Sequence, residues 1–198
     1  MFEHPDVTFQ HPGVFTGKSL TFFFEKYLFN LYLKNSDIMI REINVADAGQ
    51  ICGIYNYYIE NTVITFELEP VDVAEMTRRI TEITKVYPWI VYEENGEIIG
   101  YAYASGWRSR PAYRSTAETT VYLKMGYERK GVGGELYSEL LNQMKLRKFR
   151  IAIGCITMPN DASVLLHEKF GFTKVGHFPE VGYKFEQWLD VGFWQLML

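Results

Sequence analysis

Apolar residues recur along this chain with two different periods, and the switches between them lay out the elements. The run Met39-Ile40-Arg41-Glu42-Ile43 reads as a strand. Asp47 stands where a helix cap belongs, and Ile51, Ile54, Tyr55, Tyr58 and Ile59 follow at the spacing of one helix face. The pattern predicts a second helix over Val71–Lys85 with Asp72 as its cap. Trp89–Tyr92 and Ile98–Tyr103 are strand-like runs separated by Asn95-Gly96, the strongest short hairpin signal. A strand over about Thr119–Met125 leads into a Gly-rich turn, then into an amphipathic helix carrying Val132, Leu136, Leu140, Leu141 and Met144. Ile151–Ile156 reads as a buried strand. Asn160 or Asp161 starts a helix that runs through Phe170 and stops at Gly171, and strands are expected over Thr173–Phe178 and Asp190–Leu198. Helices interleaved with mostly antiparallel strands give an α/β (α+β) chain, a mixed twisted sheet flanked by helices.

The turn Glu128-Arg129-Lys130-Gly131-Val132-Gly133-Gly134 carries candidate chemistry. Between a strand and a helix, such a turn exposes free backbone N–H groups at the positive end of the helix, a ready site for a phosphate. Gly131 and Gly133 remove the Cβ that would keep a ligand away from the backbone. Taken alone, the same residues also make an ordinary tight loop at a helix start.

Composition narrows the picture further. A chain of 198 residues is most often one domain, and 47% hydrophobic with 22% charged residues is the make-up of a globular protein. The net charge of −4 leaves no basic footprint for nucleic acid. Cys52 and Cys155 lie far apart in apolar runs and read as two buried, reduced thiols; no spacing suggests zinc, so no metal is expected. No apolar stretch reaches the roughly 18 residues of a membrane span. The nearest candidate for a signal, Lys18–Leu33, is interrupted by Glu25, Lys26 and Asn30, so a cytoplasmic protein is the expectation. Residues 1–38, aromatic-rich and dotted with Pro and Gly, form an N-terminal extension to which the sequence assigns no role; residues 39–198 form the domain.

Several motifs in order carry a resemblance. Ala117-Glu118-Thr119-Thr120-Val121-Tyr122, Met158-Pro159-Asn160-Asp161-Ala162-Ser163, Leu166-His167-Glu168, Gly182-Tyr183-Lys184 and Trp188-Leu189-Asp190-Val191-Gly192-Phe193-Trp194-Gln195 resemble the GCN5-related (GNAT) N-acetyltransferases, within them the phosphinothricin acetyltransferase group. The resemblance covers about Met39 to the C-terminus. It implies the GNAT fold, acetyl-CoA as donor, the α-amine of a small amino-acid-like acceptor, and a homodimer.

The resemblance also implies roles. Backbone groups of Val121, Tyr122 and Leu123 would hold the pantetheine arm, and Arg129, Lys130, Gly131, Val132, Gly133 and Gly134 the pyrophosphate. Glu128 departs from the Gln or Arg usual in the family and would weaken donor binding if it pointed inward. Asn160 would bond the pantetheine arm as well as cap its helix, with Ser163 assisting near the cofactor. An acceptor ammonium must lose a proton before it attacks the thioester, and Glu118, in an otherwise uncharged run, is the candidate general base. The alternative for Glu118 is a structural carboxylate paired with Arg110 or Arg114. His167 would hydrogen-bond the carbonyl oxygen as charge develops, or orient the substrate. Arg108, Arg110, Tyr113 and Phe66 match acceptor-contacting positions, a guanidinium fork suiting a carboxylate or phosphinate. Tyr122 and Tyr183 are lesser candidates for the pocket wall. Glu67 stands where the herbicide-resistance enzymes carry Arg, which points away from phosphinothricin itself. The alternatives are another amine acceptor (a polyamine, an aminoglycoside or a protein N-terminus) or a non-catalytic acetyl-CoA-binding module.

Overall fold

The computed structural model describes residues 38–198; the N-terminal extension lies outside the described residues. Seven strands and four helices alternate as β1 (Ile38–Glu42), α1 (Ala48–Asn61), α2 (Val73–Thr84), β2 (Trp89–Glu94), β3 (Glu97–Gly106), β4 (Thr116–Leu123), α3 (Val132–Leu146), β5 (Ile151–Met158), α4 (Asp161–Lys169), β6 (Thr173–Lys184) and β7 (Gln187–Met197). All seven strands form one sheet in the order β1-β2-β3-β4-β5-β7-β6. Every neighbouring pair is antiparallel except β4 with β5.

Local chemistry accounts for most element boundaries. Asp72 accepts from the Glu75 amide at 2.7 Å and starts α2. Asn95 (φ 54) and Gly96 (φ 82) make the tight β2–β3 turn. The expected side-chain cap at Asp47 is not made. A 3₁₀ turn over Val45–Asp47 precedes α1, and Asn44 caps that turn instead. The Asp47 carboxylate turns back to accept from the Asn44 amide and from Arg41, both at 2.7 Å. The last two strands are longer than the pattern suggested. They meet through Phe185 (φ 51) and Glu186 (φ 60), two non-glycine residues in the left-handed region, so no Asn-Gly signal marks the turn.

Cores lie on both faces of the sheet. Ile51, Ile59, Met76 and Ile80 of α1 and α2 pack with Trp89, Val91, Tyr101 and Tyr122. Leu136, Tyr137, Leu140 and Met144 of α3 pack with Ala102, Ala104, Ala117, Ala152 and Trp194 on the other face. Burying each large aliphatic side chain here contributes roughly 1.5–3 kcal/mol.

One irregularity positions the site. The parallel β4–β5 ladder runs only from Thr116↔Ile151 to Thr119↔Gly154. Beyond that point β4 continues to Leu123 and β5 to Met158 without pairing to each other. A buried polar relay stands at the fork. The Thr119 hydroxyl donates to the Ile153 carbonyl at 3.1 Å, so the Tyr137 hydroxyl, 2.6 Å away, donates to Thr119 Oγ1.

Candidate active site

The opening between β4 and β5 holds a cavity of about 280 Å³. Its wall includes Glu118, Thr119, Thr120, Val121 and Tyr122 from β4, and Cys155, Ile156 and Thr157 from β5. Asn160, Ser163 and His167 close it from α4, Ile64, Thr65 and Phe66 from the α1–α2 connection, and Tyr55, Tyr103 and Val191 complete it. The side-chain period of two decides which face each β4 residue serves. Ala117 belongs to the α3 core and Tyr122 to the α1–α2 core, so Glu118 and Thr120 share the face of Tyr122. His167 contacts Tyr137 and Phe172, which belong to the α3 core on the opposite face. A carboxylate and an imidazole therefore meet the same fork from opposite sides of the sheet.

Glu118 is partly buried, and desolvation raises its carboxyl above the ordinary value of 4.5. Among the described residues no cation offsets this: neither Arg110 nor Arg114 is paired with it. A carboxylate without a counter-ion binds a proton more readily, which suits a base. Cys155 sits on the same side of the fork. It presents an exposed face, which corrects the expectation of two buried thiols: Cys52 is buried, Cys155 opens to the cleft. An unbroken apolar run such as Ile151–Ile156 does not reveal which flank will face an opening. Desolvation, with the Glu118 charge adding to it, pushes the Cys155 thiol up to about 12, so it stays protonated. Desolvation also pushes Tyr103 up to about 12, so it presents a neutral hydroxyl.

His167 is buried, and its Nδ1–H donates to the Ser163 carbonyl at 2.7 Å. Desolvation lowers its pKa, against the opposing effect of that carbonyl, so the neutral ring is favoured at neutral pH. In that tautomer Nε2 is an acceptor, and it is buried without a partner among the described residues. The ring lies over Gly154, where an added Cβ would come within 2.4 Å of Nε2. Asn160 caps α4 by accepting from the Ser163 amide at 3.1 Å, and Ser163 Oγ lies 3.5 Å from His167 Nδ1.

The Gly-rich turn lies beyond the cavity, between β4 and α3. Arg129 (φ 62) and Gly131 (φ 93) take left-handed conformations, and Gly131 is the cap of α3. Among the described residues the amides of Arg129 through Gly133 donate to no backbone carbonyl and remain available at the positive end of a 15-residue helix, whereas the Gly134 amide donates to the Gly131 carbonyl at 2.9 Å. Glu128 is exposed and folded onto its own loop, accepting from the Gly126 amide at 2.9 Å. Lys130 Nζ rests 4.4 Å from the centre of the Tyr127 ring. Val121 and Tyr122 line the cavity, whereas Leu123 does not, and its carbonyl accepts from the Tyr58 hydroxyl at 2.7 Å.

On the acceptor side, Phe66 lines the cavity while Arg108, Arg110 and Tyr113 do not. Those three are exposed on the β3–β4 connection, with Arg108 stacked on Trp107. Tyr183 is exposed on β6, away from the wall. Glu67 pairs with Arg79 of α2 at 2.7 Å. Tyr55, Tyr103, Thr65, Thr120 and Cys155 line the cavity although the sequence did not mark them as site residues. For Tyr103 a signal existed: it lies opposite Thr120 across the β3–β4 ladder, hence on the face of Glu118.

This architecture is that of an N-acetyltransferase. Residues 40–192 match the model of the Acetyltransferase (GNAT) domain, and the chain belongs to that family. It is 40% identical over 158 residues to the phosphinothricin N-acetyltransferase of Streptomyces viridochromogenes, covering 80% of this chain and 86% of that one. It is 35% identical over 161 residues to the L-methionine sulfoximine/L-methionine sulfone acetyltransferase of Pseudomonas aeruginosa, covering 80% and 94%. A phosphinothricin acetyltransferase from Sinorhizobium meliloti, solved in complex with acetyl-CoA, shares the fold with a TM-score of 0.79 at 38% identity, covering 81% of this chain and 88% of that one. No helix among the described residues is long and apolar enough to cross a membrane.

Proposed function

We propose that the protein transfers the acetyl group of acetyl-CoA to the α-amine of a small amino-acid-like acceptor, of the methionine sulfone, methionine sulfoximine or phosphinothricin type. The observation that carries this reading is Glu118, a desolvated carboxylate without a counter-ion on the wall of the β4–β5 opening. The diphosphate of the donor lies on the free amides of Arg129, Lys130, Gly131, Val132 and Gly133, with Gly134, whose own amide donates to the Gly131 carbonyl, giving room by its missing Cβ; the pantetheine arm follows the β4 edge at Val121, Tyr122 and Leu123, with Asn160 and Ser163 opposite. Glu128, exposed and held by its own loop, leaves the phosphate position clear. Glu118 takes the proton of the acceptor ammonium, the freed amine attacks the thioester carbonyl, the C–S bond breaks, and the proton then shed by the new amide nitrogen leaves with CoA as the thiol. With Nδ1–H given to Ser163, His167 offers Nε2 as an acceptor that orients the amine or a bridging water.

Arg108, Arg110 and Tyr113 stand outside the cavity wall, so they meet the outer, side-chain end of the acceptor. Glu67, in place of a cation, favours a sulfone or sulfoximine over the more anionic phosphinothricin. A polyamine finds little to hold it, since among the described residues Glu118 is the one acidic side chain on the wall. The exposed Val175, Phe178, Val181 and Trp188 on the β6–β7 hairpin, at the sheet edge, support a homodimer.

Thiol release from acetyl-CoA, screened against methionine sulfone, methionine sulfoximine, phosphinothricin and spermidine, tests the reading. Turnover with the first two is expected. Turnover with spermidine alone overturns it.

A further inference from the structure

An acceptor whose α-amine lies beside Glu118 brings its α-carboxylate into the same cavity, because both groups sit on one carbon. Among the described residues that line that cavity there is no Lys or Arg. The charge that such a carboxylate requires is found one layer behind the wall. Lys184, near the end of the edge strand β6, is 2% exposed. Its ammonium donates to the Thr65 carbonyl at 2.8 Å and lies 5.0 Å from the Phe185 ring centre. Among the described residues no carboxylate is paired with it. Glu67 acts on it through space, but the Glu67 carboxylate is itself held by Arg79 at 2.7 Å.

A buried ammonium with one of its three protons satisfied carries a desolvation cost that a nearby anion relieves. The same strand face grips the next residue of the wall. At Gly182, two residues before Lys184, an added Cβ would come within 2.1 Å of the Phe66 ring. Thr65 is fixed from the other side as well, its Oγ1 lying 2.9 Å from the Tyr55 hydroxyl. The Thr65–Phe66 turn is therefore latched to β6, and the latch carries a positive charge.

We propose that Lys184 is a specificity-determining positioning residue. Through the Thr65 carbonyl it holds the acceptor wall, and its uncompensated charge selects acceptors that carry an α-carboxylate. The proposal rests on the acceptor class given above. Low dielectric around the cavity lets a cation that does not touch the ligand still discriminate by charge.

The test compares L-methionine sulfone with its α-carboxamide, which keeps the amine and the side chain and removes the charge. Lys184→Gln keeps an N–H donor for the Thr65 carbonyl without the charge, and Lys184→Met removes both. For Lys184→Gln, kcat/KM for the acid falls about tenfold, mostly through KM, while that for the carboxamide changes less than about twofold. The KM for acetyl-CoA stays at the wild-type value, and Lys184→Arg recovers part of the loss for the acid. Lys184→Met loses activity on both acceptors. Equal losses on acid and carboxamide in Lys184→Gln reduce Lys184 to a structural role and overturn the proposal. So does an unchanged acid-to-carboxamide ratio. A wild-type enzyme that acetylates neither compound overturns the acceptor class and this inference together, whereas turnover of the acid with unaltered discrimination in the variants overturns only the inference.

Discussion

Replacing Glu118 with Gln removes the proposed base while keeping its shape and burial. General-base catalysis contributes about 10²–10⁴ in rate, or roughly 3–5 kcal/mol of barrier. The cleft also contains His167 Nε2, a buried acceptor without a partner. Burial holds that imidazole below its ordinary pKa and it meets the fork from the other face, so it replaces Glu118 poorly and the loss is about 10³ in kcat/KM for the acceptor. The change in stability has the opposite sign. Desolvation raises the Glu118 pKa in the folded state. Its contribution to stability is therefore fully present below the unfolded-state value and is lost as pH rises through the folded-state value. Near neutral pH the wild type carries the cost of an ionised, partly buried carboxylate, about 1.4 kcal/mol for each tenfold by which burial disfavours ionisation. Gln does not carry it. Glu118→Gln should thus unfold a few degrees higher than wild type near neutral pH, and the gap should close as pH falls below the ordinary carboxylate range. Thiol release measured across pH, with thermal unfolding followed by circular dichroism at both ends of the range, reads both effects. The acid-side rise of the wild-type kcat/KM profile should vanish in the variant. A variant that turns over at the wild-type rate at every pH, or that is less stable at neutral pH by the same margin as in acid, refutes the reasoning.

Three further substitutions probe the fork and the turn. Gly154→Ala sets a Cβ within 2.4 Å of His167 Nε2, so the ring must shift; about 1–3 kcal/mol of stability and most of kcat should go together, read by denaturant unfolding and steady-state kinetics. Thr119→Val leaves the Tyr137 hydroxyl and the Ile153 carbonyl without their bonds, and denaturant unfolding should show a loss of about 1–3 kcal/mol that Tyr137→Phe in the same chain partly restores. Gly131→Ala strains a residue at φ 93 in the cap of α3. It should cost about 1 kcal/mol in thermal unfolding and raise the KM for acetyl-CoA severalfold, with the acceptor KM unchanged.

Local signals made the elements readable. Asn95-Gly96 announces its hairpin because both residues accept positive φ, and Asn160 announces α4 because its side chain caps the Ser163 amide. Glu118 and His167 were legible through motif spacing, and both line the cavity. What stayed hidden is non-local. The point where β4 and β5 part depends on a pairing between segments more than thirty residues apart, and on a Thr119–Tyr137 bond that no periodicity shows. The cap at Asp47 was misplaced because Asn44, three residues earlier, satisfies a turn of its own and draws the carboxylate back. The Phe185-Glu186 turn carries no glycine to betray it. Arg108 and Arg110 matched by offset, yet the connection that bears them keeps them outside the wall. Lys184 lies within the Gly182-Tyr183-Lys184 motif, and only the fold shows that its ammonium is buried against Thr65.

The central claim is that the donor lies on the unpaired edge of β4 and the free amides of the Gly-rich turn. Titrating ¹⁵N-labelled protein with acetyl-CoA, and following the backbone amides by heteronuclear NMR, tests this most directly. The account predicts saturable shifts concentrated at Val121–Leu123, at Arg129–Gly134 and at Asn160 and Ser163, with the outer face of α3 unmoved. Shifts gathered instead at the groove of Ser138, Glu139 and Asn142 on that outer face, with the turn silent, would contradict it.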